Sequence, residues 1–266
     1  MKIRIFRKMV DININALWIY TFFLYYFRIL FFLIPQNLIP FGNLPPIILG
    51  HLTFALTWLF IYLVPPPSNT PIPHSLVHLF LLVISESFLG FILGFFLRIF
   101  YTFFLTLGEI ITLHTGLAMA NLMVPGLGNL GIFGNLFRVL GGLLFLVVGG
   151  LEITFYGLKL SFETVPVGSF NPFILDFKFF FLLLGKMISI ALGMAMPIIT
   201  IYILVNLVLA LTNRLVPNVN IFFVGYPIYM LANFAVLALL IPGLIYLSNQ
   251  LMEKYLQSFL TFVRNF

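Results

Sequence analysis

Gly141-Gly142-Leu143-Leu144-Phe145-Leu146-Val147-Val148 runs for eight residues without a polar side chain. A membrane-spanning β-strand would alternate apolar and polar residues over about ten positions, whereas a membrane helix accepts an uninterrupted apolar run. The stretch decides for helices, and the chain on either side repeats it. Apolar runs punctuated by Pro, Gly and Asn clusters predict six helical segments near residues 12–34, 47–64, 75–106, 137–160, 178–213 and 219–252. The third, fifth and sixth exceed the roughly 20 residues that one crossing needs, so they must tilt, break or extend past the hydrocarbon. Pro197, Pro227 and Pro242 are the expected break points, because each removes a backbone donor and crowds the preceding turn.

Composition agrees with that reading. Of 266 residues, 62% are hydrophobic and 8% charged, against roughly 25% charged in a soluble domain. So few charges cannot cover the surface of a water-soluble globule, and 34 Phe have nowhere dry to go in one. The fold class is all-α and polytopic, with about six long apolar helices and short loops. Thirteen Lys and Arg against seven Asp and Glu give +6, and four of the cations, Lys2, Arg4, Arg7 and Lys8, precede the first apolar run. That placement reads as a topology signal on the cytoplasmic side rather than a nucleic-acid patch. The run from Ile12 to Ile34 is too long for a signal-peptide core and is read as an uncleaved helix. Cysteine is absent, so disulfides and thiolate chemistry are excluded.

No HExxH, GxSxG, Walker A loop or dinucleotide fingerprint occurs, which leaves an enzymatic or cofactor-dependent reading without a catalytic set. His74 and His78 share a helical face, yet no Cys or acid stands nearby to complete a metal site. Ionisable residues inside apolar helices cost roughly 2.5–3.5 kcal/mol at a helix centre, so Arg28, Glu86, Arg98, Glu109, Glu152 and Lys186 each call for a partner. Arg98 and Glu109 are three turns apart, about 16 Å along one helix, and cannot pair with each other there. Pairs between helices or subunits, or side chains snorkelling to water, are the expected solutions.

Two connections stand out. Residues 161–177, with Glu163, Pro166, Gly168, Pro172 and Asp176, read as a solvated loop. Residues 116–135 hold five glycines and Pro125 among apolar side chains, with no charge at all. Backbone that is irregular yet apolar is tolerated at membrane depth when protein covers it or when it lines a wet cavity. A plug-like element and a buried apolar connection both satisfy that condition. Later in the chain, Asn206 and Asn213 lie two turns apart, and Arg214-Leu215-Val216-Pro217-Asn218 makes a tight break before Asn220, Phe222, Gly225 and Pro227. This is a helical hairpin with a polar tip, its amides placed to bond a neighbouring helix.

The run from Asn206 to Pro227 resembles the hallmark of the FliR family of flagellar export proteins, related to the T component of injectisome export apparatuses. Gly108-Glu109-Ile110-Ile111, with Leu113, Gly116, Leu117 and Ala118, is similar to that family's Gly-Glu-x-Ile-x-Leu-Gln-x-Gly segment. Glu86 with Leu89-Gly90-Phe91-Ile92-Leu93-Gly94-Phe95, and the Ala195-Met196-Pro197 run, fall in the same order. Together they cover residues 80–240. His114 stands where relatives carry glutamine, and Phe41-Gly42-Asn43-Leu44-Pro45-Pro46 where they often carry basic residues. These departures put in question an amide-dependent role at residue 114 and a charged contact near residue 40.

The resemblance implies a non-enzymatic pore and gate subunit of the bacterial flagellar type III export apparatus, in the inner membrane at the flagellar basal body and without a cofactor. It implies FliP and FliQ homologues as partners around a conduit, FlhB and FlhA docking below, a surrounding rotor ring, and unfolded flagellar proteins as cargo. Residues 1–186 would form a FliP-like part and residues 187–266 a FliQ-like hairpin and tail. The glycine-rich segment would be the plug, carried by Met119, Met123, Pro125, Gly126, Gly128, Gly131, Phe133 and Gly134. Glu86, Glu109, Asn206, Asn213, Arg214, Pro217, Phe222, Gly225 and Pro227 would serve subunit packing. An injectisome subunit is the nearest rival. An ion-translocating subunit fits less well, because Arg214 stands at a turn rather than at mid-helix.

Overall fold

A computed structural model describes residues 2–36, 45–66, 73, 75–117, 131–172, 177–215 and 221–265, and among them it holds seven α-helices and no strand. In chain order they are α1 (Lys2–Gln36), α2 (Pro46–Leu63), α3 (Leu76–His114), α4 (Ile132–Val147), α5 (Gly150–Thr164), α6 (Phe177–Leu215) and α7 (Ile221–Arg264). Five are long and apolar enough to cross a membrane, and six spans result if α4 and α5 count as one. The all-α membrane reading therefore stands.

Local chemistry places several ends. Pro46 opens α2 at a position where its missing N–H would be unsatisfied anyway. Ser75 caps α3, its Oγ accepting the His78 N–H at 3.2 Å. The fourth predicted segment is two helices, and Gly149 at the break has φ +77°, a left-handed conformation that glycine adopts freely. Pro197, Pro227 and Pro242 do not interrupt: α6 and α7 run continuously through them. Each proline frees one carbonyl in a helix whose other hydrogen bonds persist, so the expectation of breaks is corrected here.

The chain divides into two compact units. The first comprises Met1–Arg98, Gly149–Phe177 and Leu256–Phe266, and the second Ile99–Val148 and Lys178–Tyr255. In the first, α1 meets α2 through Phe22 against Phe54 and Trp58, and Tyr25 stacks on Phe162 of α5 with ring centroids 4.4 Å apart. Gly90 and Gly94, one turn apart on α3, lie directly against the α1 backbone at Arg28 and Phe32, where a Cβ would overlap a main-chain carbonyl. This is a small-residue contact of the kind that lets membrane helices approach closely. In the second unit, Phe104 of α3 is covered by Gly141 of α4, and Phe100 packs on Tyr255 of α7 at 4.8 Å.

Burial is uneven. Within the apolar window of α3, 56% of residues are buried, against 17% in the windows of α6 and of α7. Within those two windows most side chains are not buried by the described residues, and lipid or another protein must supply their surroundings.

Candidate functional site

Two glutamates on α3 organise the polar chemistry, one in each unit. In the first, Arg28 of α1 and Glu86 are both fully buried, and Arg28 Nε donates to Glu86 Oε2 at 2.5 Å. Arg28 Nη1 donates to the carbonyls of Ser161 and Val165 at 2.9 and 3.0 Å. The guanidinium carbon lies 4.5 Å from the centre of the Phe162 ring. Glu86 Oε1 accepts the Gly168 N–H at 2.7 Å. The connection after α5, expected to be solvated, is thus partly drawn inward, with Val165 and Val167 buried. The ion pair attracts it: a buried carboxylate needs more than one donor, and the Gly168 amide supplies the second.

In the second unit, Glu109 Oε1 accepts the Gly131 N–H at 2.7 Å, and Thr112 Oγ1 accepts the Phe133 N–H at 3.2 Å. Gly131 precedes the first residue of α4 and offers no capping side chain of its own. Two side chains one turn apart on α3 therefore lend α4 its cap, and the carboxylate meets the positive end of that helix. Glycines make room for the arrangement. A Cβ on Gly134 would overlap the Glu109 carboxylate, one on Gly108 the Phe133 carbonyl, and one on Gly131 would come within 2.5 Å of Thr112. A few residues on, the His114 carbonyl at the end of α3 accepts from Asn233 Nδ2 of α7 at 3.0 Å.

The hairpin helices are tied more lightly. Asn206 Oδ1 accepts a short hydrogen bond from the Tyr229 hydroxyl, and Asn206 Nδ2 donates to the Tyr202 carbonyl at 3.0 Å. The rings of Tyr202 and Tyr229 lie 5.2 Å apart, with His114 edge-on to Tyr202 at 5.1 Å. Gly225 is buried against Leu209, whose side chain would crowd a Cβ at 3.1 Å.

Of the residues singled out from the sequence, Arg28 meets Glu86, Arg98 donates to the Pro35 carbonyl near the end of α1 at 3.1 Å, and Glu109 holds Gly131. Glu152 is exposed in the first turn of α5, Lys186 is exposed on α6, and Asn213 and Arg214 are exposed near its end. Among the described residues Asn206 reaches a tyrosine on α7 and Asn213 does not. Phe222 lies in the first turn of α7, and Pro227 follows within the same helix. Met119, Met123, Pro125, Gly126, Gly128, Pro217 and His74 lie outside the described residues. Thr112, Gly168, Phe162, Tyr229 and Asn233 were not anticipated. Asn233, a lone amide in an apolar run and fully buried, had a usable signal, because such an amide needs a partner on another helix.

A family model described as bacterial export proteins, family 1, matches residues 19–255, a range that contains both glutamate centres. The chain is 32% identical over 249 residues to the flagellar biosynthetic protein FliR of Aquifex aeolicus (strain VF5), an alignment covering 92% of this chain and 95% of that one. It is 34% identical over 179 residues to the flagellar biosynthetic protein FliR of Pectobacterium carotovorum subsp. carotovorum, covering 66% and 67%. The chain therefore belongs to the bacterial export proteins, family 1, the family that includes the flagellar biosynthetic proteins FliR.

Proposed function

We propose that this chain is a structural subunit of the flagellar type III export apparatus in the bacterial inner membrane, and that it helps form and seal the conduit through which unfolded flagellar proteins leave. Its partners in this reading are FliP and FliQ homologues in the gate, with FlhB, FlhA and the rotor ring around it. Residues 1–186 form the FliP-like part and residues 187–266, including most of α6 and all of α7, the FliQ-like hairpin.

The observation that carries the gate reading is the fixing of both ends of the glycine-rich segment. Asn233 holds the His114 carbonyl where α3 ends, and Glu109 with Thr112 holds the amides where α4 begins. A seal between two fixed feet can yield to a passing chain and return to one position. Its apolar side chains suit the task, since a conduit for many unrelated sequences cannot rely on specific recognition.

Co-expression with the FliP and FliQ homologues of the same genome, extraction through a tag on this chain alone, and native mass spectrometry test the assembly. A discrete complex containing all three supports the reading, and a lone chain or homo-oligomer overturns it. Replacement of residues 119–129 by a short Gly-Ser linker tests the seal. The expected result is an intact complex with raised ion conductance in planar bilayers, and unchanged conductance removes the plug assignment.

A further inference from the structure

Arg138 is a charge that the gate reading leaves unused. It stands in the middle of α4, whose 16 residues hold no other ionisable side chain. The residue is half-buried, and its Nε is covered and has no hydrogen-bond partner among the described residues. A guanidinium in an apolar helix is expensive until an acid, a carbonyl or water meets it. The compact unit that contains Arg138 has two acids, Glu109 and Glu253. Glu253 is exposed on α7, where its Oε1 accepts from Asn249 Nδ2 at 3.3 Å.

Glu109, by contrast, already reaches the surface of α4, since a Cβ on Gly134 would overlap its carboxylate. Arg138 follows Gly134 by four residues, so the two lie one above the other on one face of α4, about 6 Å apart along the axis. Long side chains on a helix lean toward its N-terminus, and from residue 138 that direction leads to Gly134 and the carboxylate. The carboxylate is engaged elsewhere: Oε1 accepts the Gly131 N–H at 2.7 Å. Among the described residues no cation is in ion-pair range of Glu109, and no acid is in range of Arg138. One carboxylate thus stands between two donors, an amide that it holds and a guanidinium that it does not.

We propose that Arg138 is the second holder of Glu109. When the first turn of α4 shifts and withdraws the Gly131 N–H, the carboxylate passes to Arg138, and it returns when that turn comes back. The inference rests on the gate reading above and adds to it a positioning residue. Its physical reason is charge. A shift of α4 without Arg138 leaves an anion matched only by such water as reaches it, whereas with Arg138 each of two discrete arrangements has its own donor. The sign of the effect follows: the Gly131 amide favours the sealed arrangement, and Arg138 favours the open one.

The test uses the full complex of this chain with its native partners in planar bilayers, with single-channel open times compared at equal protein recovery. Arg138→Gln should shorten the mean open time at least about fivefold, and Arg138→Lys should restore most of it. In a Glu109→Ala background, Arg138→Gln should change nothing further. An unchanged open time overturns the proposal, and so does an equal loss without the Glu109 carboxylate, which assigns Arg138 to lipid or to another subunit. If Arg138→Gln is not recovered, the wild-type chain decides. Cryo-electron microscopy of the complex jammed by a cargo with a tightly folded fusion should show the Glu109 carboxylate on Arg138 and the Gly131 N–H released. Glu109 still bonded to Gly131 in the jammed conduit overturns the proposal and leaves the gate reading standing. A wild-type complex that neither conducts nor takes cargo overturns both.

Discussion

Glu86 and Glu109 make nearly the same hydrogen bond and do different work. Each lies on α3, and each accepts a glycine N–H from a later connection at 2.7 Å, Gly168 in one case and Gly131 in the other. Glu86 is fully buried and paired with Arg28. Glu109 is half-buried, and among the described residues it has no cation in ion-pair range. A buried pair tied to its surroundings by further hydrogen bonds opens only at a cost of several kcal/mol, whereas a carboxylate near water regains hydration when its one bond breaks. The first centre is suited to fastening helices permanently. The second holds a helix start through a bond that water can replace.

The sharpest way to break this comparison is at Arg28. Its truncation to Ala leaves Glu86 charged and buried and takes a donor from the Ser161 and Val165 carbonyls, the former keeping the Val165 N–H, a loss of about 3–5 kcal/mol, a large share of the stability of most proteins. The expected outcome is failure of the chain to accumulate in membranes, read by immunoblot and by protease sensitivity. Arg28→Lys should rescue only in part, because an ammonium cannot hold the carboxylate and both carbonyls in one plane. Normal levels of Arg28→Ala would remove the fastening role. Next in size is Gly90→Leu, which drives side-chain atoms into the α1 backbone and should cost about 1–3 kcal/mol or more. Its readout is the same, with Gly90→Ala as the milder step.

These two sites also show what can be read without a structure. Arg28 and Glu86 were conspicuous as charges in apolar helices, and the need for partners followed from solvation alone. That they partner each other did not follow, because they are 58 residues apart and the choice depends on how α1 packs on α3. The repeat of Gly90 and Gly94 was visible as spacing, but its counterpart on α1 was not. The prolines misled in the opposite direction: local propensity argues for breaks at Pro197, Pro227 and Pro242, and the surrounding helical hydrogen bonds override it. The break at Gly149 was missed because it lies inside a continuous apolar run, where periodicity gives no warning. The borrowed cap of α4 escaped for another reason. Capping is sought in the residues just before a helix, and here the donors are met by side chains more than twenty positions away.

Glu109 gives the middle-sized effect. Glu109→Ala removes the acceptor at Gly131 and should weaken the start of α4 by about 1–2 kcal/mol, too little to prevent accumulation. In the assembled complex this should appear as raised ion conductance at unchanged protein level. Glu109→Gln keeps an acceptor in place and should fall between wild type and Ala. If Glu109→Ala instead behaved like Arg28→Ala, the distinction between fastener and releasable hold would be lost.

The smallest expected effect lies in the hairpin, where Tyr229 donates to Asn206. Side-chain hydrogen bonds between membrane helices average only about 0.6 kcal/mol, because the separated helices find other partners. Tyr229→Phe should therefore leave both protein level and conductance within about twofold of wild type, and Asn206→Leu should do the same. Their value is in combination. If Asn206 and Tyr229 act only on each other, the double variant is no worse than either single one, a pattern that a double-mutant cycle on complex recovery detects. A much larger loss for Asn206→Leu alone would mean that its amide also serves a partner subunit. The light internal tie of α6 to α7 would then be secondary to what covers them in the assembly.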